Sequence, residues 1–151
     1  MKPSPSDWPR FSSALFYQDA AAAIPWLCKA FGFEVRLIVE GDAGRIEHSE
    51  LTYGEGVIMV AQESPDSPRP WKRTLKSPKS LNGAGTQNIM FYVDDADAHC
   101  AQARACGAGI IEEPETHDYG ADYWSDRSYG ALDLEGHLWW VTQRIRSRLG
   151  S

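Results

Sequence analysis

Histidine and acidic side chains are the residues of this sequence that could carry acid, base or metal chemistry. His48 and Glu50 stand two residues apart in a segment with strand character, so they share one strand face. They could form an acid/base pair or part of a metal site, and a polar outer strand face explains the same spacing without catalysis. A third candidate, His117, occupies a predicted turn and is the histidine to mutate first, although a solvated loop histidine explains it more simply. In the fourth candidate, His137 of Gly-His-x-Trp, an imidazole can bond strand-end backbone, so a structural role is favoured and the catalytic residues stay unassigned.

Three cysteines, Cys28, Cys100 and Cys106, are an odd number and show no Cys-x-x-Cys spacing. This pattern argues against both a disulfide framework and a structural zinc site. Only Arg104 stands near enough in sequence to stabilise a thiolate at Cys100 or Cys106, so nucleophilic catalysis has no support. Reduced, mostly buried thiols are the preferred interpretation.

Length and charge favour a soluble globular protein. The 151 residues carry a formal net charge of −6, which disfavours binding to a phosphate backbone. No apolar run approaches the roughly 18 residues of a membrane span, and the proline-broken polar start does not resemble a signal peptide. We expect a cytoplasmic protein without a nucleic-acid or membrane partner.

A faint internal repeat indicates two modules. Phe16-Tyr17-Gln18-Asp19-Ala20 is echoed by Phe91-Tyr92-Val93-Asp94, and in both copies a strand ends in Asp before an alanine-rich helix. Each helix is expected to stop at a glycine, Gly32 in the first copy and Gly107 in the second. Two copies of this kind predict duplicated modules rather than a solenoid.

The first module is predicted over about 11–62. Its elements are a strand at 11–18, a helix at about 20–31, and strands at about 33–40, 45–53 and 56–62. Asp19 is the expected N-cap of the helix. Because Pro25 lacks a backbone donor, we expect the helix to begin nearer Ala23 or to be kinked.

Residues 63–85 are predicted to link the modules. Four prolines among Ser, Lys, Asn and Gly favour an extended or mobile connection, and a disordered linker is the preferred interpretation. The alternative is a lid over a ligand site, anchored by Trp71.

The second module, about 86–143, has predicted strands at 86–93, about 109–113, 122–132 and 137–143 and a helix from Asp95 to Cys106. Residues 144–151 form a basic tail.

The most specific motif lies between Trp124 and Trp140, where two strand-like segments meet at a turn. Asp133 can bond the backbone two residues on, and Gly136 accepts a positive φ. From Asp126 to Trp139 the chain resembles the D-R-x-Y-G-x-x-D-x-x-G-H-x-W ending of the glyoxalase, bleomycin-resistance and extradiol-dioxygenase group, the vicinal oxygen chelate superfamily. The resemblance covers roughly 11–143 as one domain. It implies an α+β fold of two βαβββ modules that form a cup-shaped mixed sheet with the helices outside.

The resemblance also implies where a metal would bind. Metal-dependent members hold the ion with His, Glu or Gln from the first and last strands of each module, and the matching positions are Ser12, Met59, Asn88 and Trp140. None is a good ligand for a divalent ion, and among their neighbours only Gln87 could coordinate. We therefore expect no cofactor and no metal at the usual site. A divalent metal at a displaced site would have to use the histidine and acidic candidates above.

The ligand-lining positions implied by the resemblance are largely aromatic. They are Phe16, Met59, Asn88, Met90, Tyr92, Trp124, Tyr129 and Trp140, of which about half should face the cup. Such side chains suit planar or cationic organic ligands. The first hypothesis is thus a metal-free protein that binds a small aromatic or antibiotic-like molecule. The alternatives are a lyase, isomerase or dioxygenase with a displaced metal, and a non-catalytic dimeric regulatory module, and the resemblance implies a homodimer.

Overall fold

The chain forms two compact units, Met1–Ala84 and a second that begins at Gly85. The computed structural model describes residues 1–148 and residue 150. Each unit contains one helix and one four-stranded mixed sheet in the order βαβββ, which confirms the predicted α+β class. Among the helices of these residues, none has both the length and the apolar character that crossing a membrane requires.

The first unit contains β1 (Ser13–Tyr17), α1 (Ala20–Phe31), β2 (Glu34–Glu40), β3 (Ile46–Tyr53) and β4 (Gly56–Gln62). Its strands lie in the order β1-β4-β3-β2, and β1 runs parallel to β4 while the other pairs are antiparallel. The predicted strand positions in this unit agree with the observed ones to within two residues at each end.

Helix α1 begins at Ala20, three residues before the start at Ala23 that Pro25 suggested. The carboxylate of Asp19 accepts the N–H of Ala22 at 3.0 Å and so supports the first turn. Pro25 removes only one helical hydrogen bond, because it has no N–H to donate to the carbonyl oxygen of Ala21. Ala21 is exposed, so water can donate to that oxygen instead. Gly32 ends the helix with φ 84°, as predicted.

Alternation along the strands divides the first sheet into two faces. Leu15, Leu51 and Val60 are buried together with Leu27 of α1 and form the core on the helix side. The alternate positions, which include His48, Glu50 and Met59, lie on the other face and are only partly buried.

Residues 63–84 are not the disordered linker that their composition favoured. They contain two short 3₁₀ helices, Pro70–Thr74 and Pro78–Leu81, and belong to the first unit. The carboxylate of Glu63 accepts the N–H of the fully buried Ser77, and Gln18 Nε2 donates to Ser80 Oγ at 2.7 Å. The first contact lies within the segment and the second joins it to Gln18 at the end of β1, and local composition predicts neither.

The second unit contains β5 (Ile89–Tyr92), α2 (Ala96–Ala105), β6 (Gly109–Asp118), β7 (Ser125–Leu132) and β8 (Leu138–Arg146). The strand order β5-β8-β7-β6 repeats that of the first unit, again with the first and last strands parallel. The repeated order confirms the two-module interpretation of the internal repeat.

Two strands of the second unit extend beyond their predicted ends. Strand β6 continues past Pro114 to Asp118, because it is an edge strand and a proline there removes no ladder bond that the sheet needs. Strand β8 continues to Arg146, so the predicted tail at 144–151 was wrong at its start. Arg144 and Arg146 are strand residues paired with Asp126 and Asp118.

The turn between β7 and β8 forms as the motif predicted. Gly136 has φ 93°, and the carboxylate of Asp133 accepts the N–H groups of Glu135 and His137 at 3.0 and 3.1 Å. The same carboxylate accepts Trp139 Nε1–H at 2.9 Å. The spacing of Asp133, Gly136 and Trp139 therefore has a structural cause, since one acidic side chain fixes both the turn and the following tryptophan.

Candidate functional site

A cavity of about 350 Å³ lies on the face of the second sheet that points away from α2. All four strands or their ends contribute to its wall, which consists of Met90, Glu112, His117, Tyr119, Asp126, Ser128, Trp140 and Thr142. Met90 and Trp140 are partners in the β5–β8 ladder, and Ser128 Oγ donates to Thr142 Oγ1 at 3.0 Å. The wall thus combines apolar and aromatic surface with a few polar groups, as small-molecule sites do.

The opposite face of this sheet is the core of the second unit. Tyr129, Trp139 and Val141 are fully buried there, and the Tyr129 hydroxyl lies 2.6 Å from His99 Nδ1 of α2. The prediction that Tyr129 lines the ligand site was therefore wrong. Because side chains alternate along a strand, its neighbours Ser128 and Gly130 lie on the cavity face of the sheet, and Tyr129 lies on the face that packs against α2.

Gly130 makes room for the indole of Trp140. The two residues are ladder partners, and a Cβ added at Gly130 would lie 3.0 Å from a carbon of that ring. The missing side chain lets the indole lie close to the sheet surface, so that Trp140 contributes a ring to the cavity wall.

An arginine and a carboxylate form a fixed pair beside the cavity. Arg144 Nε donates to Asp126 Oδ1 at 2.6 Å, and Arg144 also donates to the hydroxyl of Tyr92. The Arg144 guanidinium carbon lies 5.2 Å from the Tyr92 ring centroid and 5.6 Å from that of Trp124. The hydrogen bond to Asp126 raises the pKa of Arg144, so the group stays charged.

Three aromatic residues between β6 and β7 extend the site. The rings of Tyr119 and Trp124 lie 5.8 Å apart, and those of Tyr123 and Trp124 lie 6.2 Å apart nearly at right angles. Arg146 holds this segment, because it donates to Asp118 Oδ1 at 2.7 Å and to the carbonyl of Gly120 at 3.1 Å. The Gly120 N–H bonded to Asp118, with Arg146 next to it, lowers the pKa of that carboxyl.

Sequence reasoning identified Trp124 but missed Tyr119 and Tyr123. Their signal was the aromatic content of an exposed loop, where Tyr, Tyr and Trp recur within six residues. Exposed aromatic side chains in a loop beside a cavity are more informative than aromatic residues along a strand, which packing alone explains.

The four histidine and acidic candidates occupy three different places. His48 Nε2 lies 3.2 Å from Glu50 Oε1 on the open face of the first sheet, which confirms that the two share a strand face. His117 was predicted in a turn and instead belongs to β6, where it lines the cavity with Nε2 3.9 Å from Glu115 Oε2. His137 sits in the β7–β8 turn and is not among the residues of the cavity wall.

Glu50 is held by two partners. Arg36 Nε donates to Glu50 Oε2 at 2.8 Å, and the Arg36 guanidinium carbon lies 4.7 Å from the ring centroid of Trp8. The hydrogen bond with His48 and then the contacts with Arg36 lower the pKa of Glu50. Glu50 is therefore ionised at neutral pH and paired, which suits a structural anion better than a proton acceptor.

The remaining ligand-lining candidates divide between the units. Phe16 and Met59 are partly buried on the first sheet, where Met59 is the ladder partner of Ala14 and Glu50. Asn88 is exposed and precedes β5. Met90 and Trp140 line the cavity, and Tyr92 and Trp124 adjoin it through Arg144.

The residues at the usual metal positions do not fit a divalent ion. The ladder pairs Met59 with Ala14 and Trp140 with Met90, two residues beyond the positions of Ser12 and Asn88 that the sequence suggested. A hard divalent ion needs oxygen or imidazole donors, and the ladder residues Ala14, Met59, Met90 and Trp140 offer none. Ser12 and Asn88 would contribute only a neutral hydroxyl and a neutral amide. Within residues 1–148 and 150, no three His, Cys, Asp or Glu side chains come close enough together to hold a metal.

The cysteines give no sign of a nucleophile. Cys100 is buried in α2, and this burial raises the pKa of its thiol despite the neighbouring Arg104. A protonated, buried thiol is a poor nucleophile. Cys28 and Cys106 are only partly buried, so the prediction of mostly buried thiols holds for Cys100 alone.

Comparison with known proteins agrees with this architecture. TioX from Micromonospora sp. ML1 is 30% identical, with 91% of this chain and 99% of that chain covered and a TM-score of 0.64. A glyoxalase/bleomycin resistance protein/dioxygenase family enzyme from Burkholderia phytofirmans PsJN shares the fold at 18% identity, with a TM-score of 0.63 and coverage of 89% and 97%. An uncharacterized protein of Mycobacterium bovis is 30% identical over 138 residues, which cover 91% of this chain and 85% of that protein.

A family model places these similarities in one group. The model of the Glyoxalase/Bleomycin resistance protein/Dioxygenase superfamily matches residues 11–141, which is most of the chain. The matched region contains the whole hairpin motif and the helices and strands of both units up to the middle of β8. The chain therefore belongs to the glyoxalase/bleomycin resistance protein/dioxygenase superfamily.

Proposed function

We propose that this protein binds a small planar aromatic molecule in the cavity of its second sheet, without using the superfamily's usual metal. The observation that carries the proposal is the group of aromatic rings at the cavity, with Trp140 and Tyr119 in its wall and Trp124 and Tyr92 beside it. Large aromatic side chains left half exposed around a concave site are a common signature of ligand binding.

The charged pair beside the cavity holds two of the aromatic rings in fixed positions. Asp126 fixes Arg144, which in turn contacts the rings of Tyr92 and Trp124, so these aromatic faces are oriented before any ligand arrives. A preoriented site loses less side-chain entropy on binding. A flat ring can then stack against Trp140 or Tyr119 and cover Met90, which is 53% exposed.

The test is a calorimetric titration of the protein with 1-naphthylmethanol, a neutral planar probe. We expect one site per chain in the wild type, and at least about tenfold weaker binding in Trp140→Ala, because a buried aromatic contact is removed. The matched control is Trp71→Ala, since Trp71 is an exposed tryptophan of the first unit, outside the cavity wall. Equal effects of the two substitutions, or no binding to the wild type, would contradict the proposal.

An enzymatic function is the second candidate, and the contact between His48 and Glu50 is the observation that favours it. In that case the pair would exchange a proton with a substrate or contribute to a displaced metal site on the first sheet. Thermal shift with Mn²⁺, Ni²⁺ and Zn²⁺ separates the two candidates, because an ion that binds only the folded state raises its melting temperature. Stabilisation that His48→Ala abolishes would support the enzyme, and a shift with naphthylmethanol alone would support binding.

A further inference from the structure

We infer that the aromatic molecule bound at the proposed site carries a positive charge beside its ring, and that Glu112 selects for this charge. The inference rests on the proposed function, because it assigns a chemical class to the ligand of the same cavity. Its basis is the charge of the cavity wall and the pairing of every charged group around it.

Four ionisable side chains line the cavity, namely Glu112, His117, Tyr119 and Asp126, of which Glu112 and Asp126 are carboxylates. Asp126 is neutralised by Arg144 at 2.6 Å and also bonds the Tyr92 hydroxyl, so this pair adds no net charge. Glu112 has no ion-pair or hydrogen-bond partner for its side chain in the described part of the chain, and its ladder partner Gly130 carries no side chain. Of the two carboxylates in the wall, that of Asp126 is paired with Arg144, and that of Glu112 is the one without such a pair.

Four arginines of the second unit are each paired with a carboxylate other than that of Glu112. Arg104 binds both carboxylate oxygens of Glu113 at 2.6 Å, and Arg127 binds those of Asp97 at 2.6 and 2.8 Å. Arg144 and Arg146 are held by Asp126 and Asp118. None of these four arginines neutralises Glu112, so we assign the role of its counter-charge to a cationic group of the bound molecule.

The adjacent glutamates Glu112 and Glu113 lie on opposite faces of the second sheet and have different surroundings. Glu113 bonds Arg104 of the helix, whereas Glu112 borders the cavity on the opposite side of the sheet. The same strand thus keeps one carboxylate for packing against α2 and leaves the other facing the rings. This contrast also supplies a matched control within one dipeptide.

Carboxylate and aromatic rings favour the same type of ligand charge. A cation is attracted by the negative faces of Tyr and Trp rings and by the carboxylate, whereas an aromatic acid is repelled by Glu112. The ligand class that fits is an aromatic amine or a nitrogen heterocycle that is protonated at neutral pH. A ring with an attached ammonium can stack on Trp140 while its charge reaches toward Glu112.

The experiment compares three probes that share one ring system and differ in charge. These are 1-naphthylmethylammonium, 1-naphthylmethanol and 1-naphthylacetate, titrated calorimetrically into the full chain at pH 7 and low salt. We expect the ammonium to bind about fivefold more tightly than the alcohol, and the acetate to bind most weakly. Added salt should narrow the difference, because it screens the carboxylate.

Two substitutions assign the preference to a residue. Glu112→Gln should remove most of the ammonium's advantage in affinity over the alcohol and leave only the part that the aromatic rings contribute. Glu113→Gln removes an equal charge from the other side of the strand and should keep the full advantage of the ammonium. An undiminished advantage of the ammonium in Glu112→Gln would overturn the role of Glu112.

The remaining outcomes separate this inference from the proposed function. Equal binding of the ammonium and the alcohol, or tightest binding of the acetate, would overturn the charge inference and leave the aromatic site in place. Failure of all three probes to bind the wild type would overturn both. Loss of binding in Trp140→Ala, together with an advantage of the ammonium that shrinks in Glu112→Gln and not in Glu113→Gln, would support both.

Discussion

At the scale of single residues, Gly130 controls the shape of the candidate site. It stands opposite Trp140 in the ladder, and the indole occupies the space that a side chain would need. In a sheet interior a glycine usually weakens the strand, so its presence here suggests that close approach of the ring is what the site requires.

We expect Gly130→Ala to weaken binding of 1-naphthylmethanol and to lower the free energy of unfolding by about 1–3 kcal/mol, because the added methyl would lie 3.0 Å from both the Trp140 ring and Ile111 Cγ1 and must displace them. Calorimetric titration and urea unfolding measure the two effects. Gly109→Ala is the control, since a Cβ there would meet Leu132 at an ordinary 3.6 Å. Unchanged binding in Gly130→Ala would show that the position of the indole does not determine the site.

Individual residues also show what the sequence can and cannot predict. The shared face of His48 and Glu50 followed from a spacing of two in one strand, and the structure confirms it. Tyr129 was assigned to the ligand site from the family resemblance alone. It is buried in the core, because side chains alternate along β7 and its neighbour Gly130 lies on the cavity face. Residue type and position in the family motif are therefore not enough to predict which face of the sheet a side chain lies on. That prediction also needs the strand register, which depends on where each strand begins.

At the scale of elements, the β7–β8 hairpin depends on one carboxylate. Asp133 is 8% exposed and accepts three hydrogen bonds, two from turn backbone and one from the indole of Trp139. Since Trp139 and Trp140 are neighbours on β8, the same turn fixes one tryptophan in the core and the next at the cavity.

Asp133→Ala should destabilise the protein by about 2–4 kcal/mol, because three donors lose a charged acceptor in a buried turn. Urea unfolding monitored by tryptophan fluorescence measures the change. Asp122→Ala, an exposed aspartate of the preceding loop, should stay within about 0.5 kcal/mol of the wild type. Similar losses in the two variants would mean that the turn is held by its backbone alone.

The helices and strands also show which parts of the structure could not be predicted from local sequence. The strands and helices of the first unit were predictable because alternation and capping residues are local signals. The segment 63–84 was not, since the contacts of Ser77 with Glu63 and of Ser80 with Gln18 join residues 14 and 62 positions apart. The length of β6 was missed for a related reason, because the cost of Pro114 depends on whether the strand lies at an edge.

At the scale of the whole molecule, the outer strand of the first sheet presents apolar surface. Strand β2 is an edge strand, and Val35, Leu37, Ile38 and Val39 are each at least 40% exposed. An apolar edge of this kind favours pairing with another chain unless it is covered. The homodimer implied by the family resemblance would provide such a cover, and we expect the protein to be dimeric through this strand.

Size-exclusion chromatography with light scattering should give twice the 16.8 kDa mass of the chain for the wild type. Ile38→Lys should shift the mass toward the monomer, because a charge on the apolar edge cannot be desolvated against a second copy. The control is Leu134→Lys, which places the same charge at an equally exposed apolar residue of the β7–β8 turn and should leave the dimer intact. A monomeric wild type would contradict the dimer, and a dimeric Ile38→Lys would place the interface on a different surface of the chain.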